Sequence, residues 1–453
     1  MRTESPAAVP AEAQPPGLRS WAGREAKTLG GAAGTLALNV STTAVNFVLT
    51  FVLARVLGAS GYGAYAFAAA WASVLSVPAV LGLTPLVIRH VAAYVVHSQW
   101  SLLRGLLERT NRTVLVTSLA TVALAAGIGV AAEHGNRALL TPYLIALPLV
   151  PLVSLTTLRQ AAMQGLSRVL LGRVPETLVA PVLFLAAVVV AHELGAGLTP
   201  GWAMSLNVAS GVVAFALGVV LLVRVLPAEV RSARPEYDTG RWARSALPLL
   251  LLSAVMALNA QLGTILVGAI SGASDAGVYN VAARTASFIS FIWLAASYAV
   301  TPRVATLHAA GDREALQTLL TRSARVITGC ALAVALVVVT AAPTVLRIFG
   351  STFGQGTTPL RILAAGELTN SLLGYGGLGL IMTGNETPMA LSAVAGAVVN
   401  IALGFALVPH IGATGAAIAT AAAAATWNLL FAVFLYRRTG FYSPAISLLR
   451  RRG

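Results

Sequence analysis

The stretch LARVLGASGYGAYAFAA, from Leu53 to Ala69, decides the fold because the chain repeats its pattern. The stretch GASDAGVYNVAA stands 214 positions after its counterpart, at residues 272–283. Seven residues recur in register: Gly58, Ala59, Ser60, Gly63, Tyr65, Ala68 and Ala69 return as Gly272, Ala273, Ser274, Gly277, Tyr279, Ala282 and Ala283. The register extends from Arg89 to Arg303. A long internal duplication of this kind is typical of transporter folds.

The composition predicts a membrane protein. The chain has 453 residues, of which 57% are hydrophobic and 10% are charged, whereas soluble domains carry about 25% charged residues. The net charge of +15 is spread between apolar stretches, which argues against a nucleic-acid partner. The single cysteine, Cys330, excludes a disulfide. The sequence has no P-loop, no nucleophile motif and no cluster with metal-ligand spacing. We therefore predict neither an enzyme nor a metal site.

Twelve apolar segments of about 20 residues are each long enough to cross about 30 Å of hydrocarbon as a helix. The predicted fold class is therefore an all-α polytopic membrane protein with 12 transmembrane helices. We number these predicted spans 1 to 12. They lie near residues 31–54, 61–88, 113–132, 138–158, 175–193, 202–224, 245–270, 277–302, 324–342, 358–382, 388–408 and 413–436.

The loops predict the orientation of the chain. Of the 30 lysines and arginines, 25 fall in the tails and in the loops on one side of the spans. The positive-inside rule places that side in the cytoplasm, together with both termini. Each half then starts on the same side, so the two six-helix repeats are parallel and flank a central cavity. The predicted organisation is a disordered cytoplasmic tail (1–22), an N-lobe with spans 1–6 (23–223), a basic cytoplasmic linker (224–244), a C-lobe with spans 7–12 (245–436) and a basic cytoplasmic tail (437–453).

Span 1 carries a polar face. Asn39, Thr43, Asn46 and Thr50 are spaced by 4, 3 and 4 residues, which places them on one side of a helix. They fit either hydrogen bonds between helices or the wall of a polar cavity. The corresponding span 7 offers Asn259, Gln261 and Thr264 at similar depth.

Two charged residues are predicted inside spans of the C-lobe. Arg284 lies about 10 Å into span 8, at 1.5 Å per residue, and Glu367 lies inside span 10. Charged groups at such depth face a protein or aqueous interior. One alternative is a buried Arg284–Glu367 ion pair. In the other, Arg284 binds an anion in the cavity and Glu367 couples transport to an ion.

Three more arginines are predicted near the outer ends of spans, namely Arg55, Arg347 and Arg361. Each can snorkel to the interface. Together they also make the outer half of the cavity basic, and arginine suits phosphate because its planar fork donates two parallel hydrogen bonds. We therefore take Arg284, Arg55 and Arg361 as candidate ligands for a phosphate group.

Five segments carry a family resemblance, which extends over roughly residues 30 to 436. They are ARVLGASGYGAYAFAAA (54–70), LGLTPLVIRHVAAY (81–94), MQGLSR (163–168), MTGNETP (382–388) and VNIALGFALVPHIGATGAAIATAAAA (399–424). These segments resemble the Wzx-type oligosaccharide-lipid flippases of the multidrug/oligosaccharidyl-lipid/polysaccharide exporter superfamily.

The resemblance implies a protein of the bacterial inner membrane with two lobes around a V-shaped cavity. Such proteins move undecaprenyl-diphosphate-linked glycans to the outer leaflet by alternating access. Their basic cavity matches Arg284 and Arg55. The expected partners are a polyprenyl-diphosphate-linked glycan and membrane lipids, with a glycan polymerase or glycosyltransferases of the same pathway as further candidates. No cofactor is expected besides a proton or sodium ion that drives transport.

Other functions compete with this interpretation. A cation-coupled drug exporter of the superfamily would need acidic and aromatic cavity residues, whereas arginines outnumber Glu367 here. A lipid II flippase of the same superfamily usually has fourteen spans. A membrane-embedded glycan polymerase or glycosyltransferase needs a sizeable outer loop, and the predicted outer loops are short. A non-transporting scaffold of a glycan pathway is a further alternative.

The topology can be tested by cysteine labelling in a Cys330→Ser background. Because basic loops stay in the cytoplasm, a cysteine at Ser232 should resist an impermeant thiol reagent in intact cells, whereas one at Ser274 should react. The reverse pattern of labelling would refute the predicted orientation.

Overall fold

The computed structural model describes residues 18–131, 137–238, 247–373, 379–380 and 386–439, and these residues form helices without any strand. The predicted all-α membrane fold is thus confirmed. The helices are α1 (Leu18–Val80), α2 (Leu83–Val96), α3 (Trp100–Ala131), α4 (Arg137–Ala146), α5 (Leu149–Gly165), α6 (Val169–Val174), a π-helical turn (Pro175–Val179), α7 (Ala180–Glu193), α8 (Pro200–Val225), α9 (Ala228–Ser232), α10 (Leu247–Ile270), α11 (Ala273–Ala309), α12 (Arg313–Phe349), a 3₁₀ turn (Ser351–Gly356), α13 (Thr357–Leu372) and α14 (Glu386–Thr439).

Seven helical stretches among the described residues are long and apolar enough to cross a membrane, and two of them are long enough to cross twice. The stretch Gly34–Val80 has 47 residues, which is about 70 Å of helix at 1.5 Å per residue. It is interrupted at Gly58 (φ 68°, ψ −179°), and α14 is interrupted at Ile411 and Gly412. The breaks divide each helix into two arms. The total of twelve spans stays a prediction.

The duplicated stretches pack against each other through their glycines. A Cβ atom built on Gly63 would collide with the carbonyl oxygen of Ala273, and one built on Gly277 would collide with that of Ala59. The contact is reciprocal because Ala59 and Gly63 are the repeat counterparts of Ala273 and Gly277. Such reciprocity is the mark of a two-fold axis. We call these four residues the glycine seal.

Contacts along α11 show the direction of the repeats. On the first arm of α1, the Phe47 ring lies 5.0 Å from that of Phe288. Nearer the Gly58 break, Thr50 shares the environment of Tyr62, whose hydroxyl bonds to Asn280. Residue numbers therefore rise along this arm as they fall along α11, so the two run antiparallel. The second arm, which returns from Gly58, runs parallel to α11. The two repeats thus point the same way, as predicted.

Equivalent tyrosines confirm the duplication inside each lobe. The Tyr65 hydroxyl accepts a hydrogen bond of 3.0 Å from Asn207 Nδ2 on α8. Its counterpart Tyr279 is 3.0 Å from the hydroxyl of Thr420 on the second arm of α14. Asn207 and Thr420 are 213 positions apart. Each tyrosine therefore joins the second and sixth predicted spans of its own lobe.

The two lobes share a hydrophobic core at only one end of the bundle. We call this the glycine-turn end, because Gly58 and Gly272 lie there, and the opposite end the linker end. One buried cluster at the glycine-turn end combines residues of both lobes, including Leu53, Tyr62 and Phe349. At the linker end, the N-lobe has its own cluster around Leu103, and the C-lobe has a separate one around Leu316. Among the described residues, the hydrophobic core that both lobes share thus lies at the glycine-turn end.

Several predicted boundaries differ from the structure. Helix α1 begins at Leu18, within the predicted disordered tail. Span 2 is broken at Leu81 and Gly82, which have φ angles of 53° and 66°. The Ala79 carbonyl next to this break accepts a hydrogen bond of 2.6 Å from the Thr117 hydroxyl of α3. A neighbouring helix thus supplies the hydrogen bond that the broken helix does not. Residues 1–17 of the predicted N-terminal tail, 440–453 of the C-terminal tail and 382–385 of the MTGNETP turn lie outside the described residues.

The linker between the lobes is partly helical and docked, although its prolines indicated an irregular connector. It contains α9, and Val230 of this helix is buried in the N-lobe cluster. Arg104 of α3 donates to the carbonyls of Arg231 (2.7 Å) and Ala233 (2.9 Å). These bonds satisfy the free carbonyls at the helix C-terminus. Residues 239–244 of the linker lie outside the described residues.

The glycine seal can be tested by adding one methyl group. Gly63→Ala should destabilise the protein by about 1–3 kcal/mol, the cost of overpacking a close contact. Gly127→Ala is the matched control, because a Cβ on Gly127 meets nothing within 4 Å. The measurement is thermal unfolding in detergent. Equal stability of the two variants would contradict the close approach of the backbones at Gly63.

Candidate anion-binding site between the lobes

A small polar cavity lies between α1 and α11, beyond the glycine seal toward the linker end. Its volume is about 170 Å³, and its lining comes from both lobes. The residues are Thr42, Thr43, Asn46 and Phe47 of α1 and Arg284, Ser287 and Phe288 of α11. The structure thus brings together Thr43, Asn46 and Arg284, which the sequence nominated separately. The cavity is smaller than the roughly 300–1,000 Å³ of sites for drug-sized ligands. It has room for a phosphate-sized group but not for a glycan.

The threonines of the cavity wall use their hydroxyl hydrogens within their own helix. Thr42 donates to the carbonyl of Leu38 (2.7 Å) and Thr43 to that of Asn39 (2.8 Å). Asn46 Nδ2 likewise donates to the Thr42 carbonyl (2.9 Å). Since these donors are occupied, the arginine is the cation and the main donor that this wall can present to an anion.

Arg284 lies deeper than the sequence suggested. Helix α11 begins at Ala273, so Arg284 is about 16 Å from the helix start at 1.5 Å per residue. Its Nε donates to Asn280 Oδ1 at 3.2 Å, one helical turn earlier. The ion pairs among the described residues are Arg104–Glu108 and Arg159–Glu176. The alternative of a buried Arg284–Glu367 pair is therefore wrong, and Arg284 faces the cavity.

Asn280 holds Arg284 within a buried network that sequence reasoning missed. Its Oδ1 accepts from the Tyr62 hydroxyl at 2.8 Å as well as from Arg284, and its Nδ2 donates to Thr264 Oγ1 at 3.1 Å. The network joins the lobes because Tyr62 belongs to α1. The only signal in the sequence was an asparagine one helical turn before Arg284.

A second arginine reaches the polar face of α1. Arg173 Nη2 of α6 donates to Asn39 Oδ1 at 3.4 Å. The sequence predicts Arg173 in the cytoplasmic loop between spans 4 and 5. Asn39 and Asn46 are seven residues apart, so Arg173 and the cavity are about 10 Å apart along α1. The polar face of α1 thus extends from the side chain of Arg173 to the cavity that Arg284 lines.

Glu367 lies inside the C-lobe, away from the residues that line this cavity. Its carboxylate on α13 accepts a short hydrogen bond from the Ser290 hydroxyl on α11. In the N-lobe, the equivalent helices are joined by a different hydrogen bond, in which the Ser154 hydroxyl of α5 donates to the backbone carbonyl of Ser76 (3.2 Å). Ser76 and Ser290 are repeat counterparts.

The other candidate arginines lie outside the cavity. Arg55 is exposed at the glycine-turn end, where its Nε donates to the carbonyl of Ile348 in the C-lobe (2.6 Å) and its guanidinium lies 5.6 Å from the Phe51 ring centre. Arg361 is also exposed, and its Nε lies 3.4 Å from the Val339 carbonyl within the C-lobe. Arg55 therefore joins the lobes, whereas Arg361 joins α13 to α12.

The remaining polar candidates are buried near the lobe interface or within the C-lobe. Thr50 is buried beside Tyr62. Asn259 is buried, with its Nδ2 3.4 Å from the Ala393 carbonyl on α14. Gln261, two residues later on α10, is half-buried. None of these three lines the cavity between α1 and α11. The polar face of span 1 thus serves both predicted uses, with Thr43 and Asn46 at the cavity and Thr50 inside the protein.

A buried ion pair inside the N-lobe escaped the sequence analysis. Arg159 lies between the predicted spans 4 and 5, and Glu367 is the only acidic residue that we predicted inside a span. In the structure Arg159 is buried in α5, and its Nη2 donates to the Glu176 carboxylate and to the Gly172 carbonyl. The guanidinium packs against Gly218 of α8, where a Cβ would overlap it. Such pairs are costly to break, at about 3–5 kcal/mol. This arginine therefore holds the N-lobe together.

The described residues contain no group of three or more His, Cys, Asp or Glu side chains that could hold a metal ion. The chemistry that the cavity between the lobes offers is recognition of an anion by arginine in a polar, partly enclosed space.

Comparisons with solved structures identify the fold. The chain is similar to an inward-facing multidrug resistance MATE family transporter of the MOP superfamily, with a TM-score of 0.69, 13% identity, and coverage of 93% of this chain and 100% of that one. It is similar to the lipid II flippase MurJ in an inward closed conformation, with a TM-score of 0.63, 13% identity, and coverage of 88% and 87%. An outward-facing MATE family transporter gives a TM-score of 0.58 at 13% identity, with coverage of 90% and 94%.

Family models match on the sequence itself, although no curated protein matches the chain. The MatE model matches residues 248–406. The model described as polysaccharide biosynthesis protein matches residues 29–308, which span the N-lobe, the linker and the start of the C-lobe. This multi-pass membrane chain, with the fold of a MOP superfamily transporter, belongs to the polysaccharide biosynthesis protein family.

Proposed function

We propose that the protein is a flippase that moves a polyprenyl-diphosphate-linked oligosaccharide from the inner to the outer leaflet of the bacterial cell membrane by alternating access. The observation that carries this proposal is Arg284, a cation about 16 Å into α11 without an acidic partner among the described residues, in a cavity built by both lobes. A charge within a membrane-embedded helix needs a protein partner, an aqueous cavity or a ligand. A diphosphate would supply that ligand.

The arrangement of cations supports a diphosphate over a cationic drug. Arg173 and Arg284 approach the same polar face of α1, and among the described residues that line the cavity none is acidic. The family model for polysaccharide biosynthesis and the similarity to a lipid II flippase support a lipid-linked glycan. The small volume of the cavity suits the diphosphate, whereas the glycan would extend toward the linker end.

The orientation of transport follows from the predicted topology. If the basic linker end is cytoplasmic, the shared core and the glycine seal close the outer side of the protein. Release on the outer side would require the glycine seal to open. Glycosyltransferases or a glycan polymerase as partners belong to the same proposal.

Glu367 is our candidate for coupling to a proton or sodium ion. Its carboxylate joins α11 to α13 through Ser290, and α11 also carries Arg284. Glu367→Gln should remove the dependence of transport on an ion gradient while binding is retained. The measurement is flipping in proteoliposomes with and without a proton or sodium gradient. Unchanged gradient dependence would remove Glu367 from the mechanism.

Arg284 should be the arginine on which anion binding depends most. Arg284→Ala should weaken the binding of undecaprenyl diphosphate about 10- to 100-fold, the effect of losing hydrogen bonds from a charged donor. The affinity of Arg284→Lys for undecaprenyl diphosphate should lie between that of Arg284→Ala and that of the wild type, because lysine keeps the charge but loses the planar fork. Binding is measured on purified protein in nanodiscs, with a cationic dye as the alternative ligand.

Two controls accompany this measurement. Arg322→Ala removes an exposed arginine of α12 and should bind like the wild type. Thermal unfolding should show that Arg284→Ala lacks the large loss expected for a broken buried ion pair, since Glu367 is not its partner. Wild-type affinity of a well-folded Arg284→Ala for undecaprenyl diphosphate, or binding of the dye alone, would refute the proposed substrate.

A further inference from the structure

The amide of Asn280 is almost fully used in one buried network. Its oxygen accepts two hydrogen bonds, from Tyr62 and from Arg284, and its nitrogen donates to Thr264. An amide oxygen has two lone pairs, so the side chain can hold Tyr62 and Arg284 at the same time. Thr264 fixes the other side of the amide. The orientation of Asn280 is therefore set by three partners.

The partners of Asn280 come from different lobes. Arg284 and Thr264 belong to the C-lobe, whereas Tyr62 belongs to α1 of the N-lobe. Tyr62 is buried and stands next to Gly63 of the glycine seal. A movement that separates Gly63 from Ala273 must also draw the Tyr62 hydroxyl away from Asn280. The Tyr62–Asn280 bond therefore exists only while the seal is closed.

The internal repeat shows that this network is not a by-product of the duplication. The counterparts of Tyr62, Asn280 and Arg284 are Ala276, Ala66 and Ala70. The glycines of the seal and the tyrosines at positions 65 and 279 are kept in both repeats. At each of these three positions, one repeat has a polar side chain and the other repeat has alanine. Packing alone does not require them.

We infer that Asn280 is a positioning residue that makes the anion affinity of Arg284 depend on the glycine seal. The inference rests on the proposed function. With the seal closed, Tyr62 and Thr264 orient Asn280, which in turn holds Arg284 Nε and directs the guanidinium to the cavity. When the seal opens, the amide loses Tyr62 and the hold on Arg284 weakens.

The consequence is a difference in affinity between the two states. A ligand that binds the closed-seal state more tightly stabilises that state, and opening of the seal lowers the affinity by the same factor. With the predicted topology, the lipid diphosphate is captured from the cytoplasmic side and released when the outer side opens. Asn280 thereby links the direction of release to the conformation of the lobes.

The first test compares two tyrosines of the N-lobe. Tyr62 has its hydrogen-bond partner in the C-lobe, whereas Tyr65 has its partner in the N-lobe. Tyr62→Phe removes the hydroxyl that reaches Asn280 and leaves Arg284 in place. Tyr65→Phe removes a hydroxyl that pairs with Asn207 within the N-lobe. Tyr62→Phe should weaken undecaprenyl diphosphate binding about 2- to 10-fold, the effect of losing one hydrogen bond, and Tyr65→Phe should bind like the wild type.

The second test separates positioning from general loss of structure. If Tyr62 acts through Asn280 on Arg284, Tyr62→Phe should add no further loss of binding to Arg284→Lys. Independent effects would add in the double variant. Additive losses would mean that Tyr62 contributes only to stability, and they would overturn the inference.

The third test measures the seal without any ligand. Spin labels at Ala196→Cys and Thr352→Cys, in a Cys330→Ser background, report the distance between the lobes at the glycine-turn end, where both residues are exposed. Tyr62→Phe should shift the ratio of open to closed states about 2- to 10-fold toward open, and Tyr65→Phe should not. Undecaprenyl diphosphate should shift the wild type toward closed.

The outcomes separate the inference from the proposed function. Wild-type binding and distances for Tyr62→Phe, with Arg284→Ala impaired, would overturn the role of Asn280 and leave the proposed function intact. A wild type that does not bind undecaprenyl diphosphate would refute the proposed function. In that case an unchanged distance distribution in Tyr62→Phe would overturn the link between Asn280 and the seal, and a shift toward open would support it.

Discussion

The structure depends on the backbone contact between Gly63 and Ala273 and its repeat counterpart between Gly277 and Ala59. No side chain fits between the two helices at this point, so α1 and α11 approach as closely as their backbones allow. The aromatic rings of Phe47 and Phe288 then meet, and Phe47 packs against the shared hydrophobic core. The polar cavity exists because the same two helices continue past the contact with threonine, asparagine and arginine.

The duplication separates residues that build the fold from residues that break its symmetry. The seal glycines and the tyrosines at 65 and 279 occur in both halves and form equivalent contacts. Arg284, Asn280 and Tyr62 have alanine counterparts. A symmetric scaffold thus supports one asymmetric polar site. This is the expected arrangement when a parallel repeat encloses a single ligand near its axis.

Charged side chains inside the helical bundle differ in how they are compensated. Arg159 is paired with Glu176 and fixed against Gly218 inside the N-lobe, so its charge is compensated within the fold. Arg284 has only neutral partners in the described part of the chain and lines a cavity between the lobes. Glu367 lies between α11 and α13, with the Ser290 hydroxyl as its partner. The proposed function assigns this uncompensated cation to the substrate, because it lines a cavity that both lobes build.

The sequence by itself determined that the chain is a helical membrane protein with two parallel repeats, because hydropathy and a 214-residue register are one-dimensional properties. It also nominated Arg284 and the polar face of α1, since helical spacing places Asn39, Thr43 and Asn46 on one side. Only the tertiary structure decided that Arg284 faces α1 and not Glu367, that Arg159 is buried, and that Asn280 joins Tyr62 to Arg284. Each of these contacts depends on how helices far apart in sequence rotate and approach. The glycine seal sets that approach for α1 and α11, through contacts that no local pattern encodes.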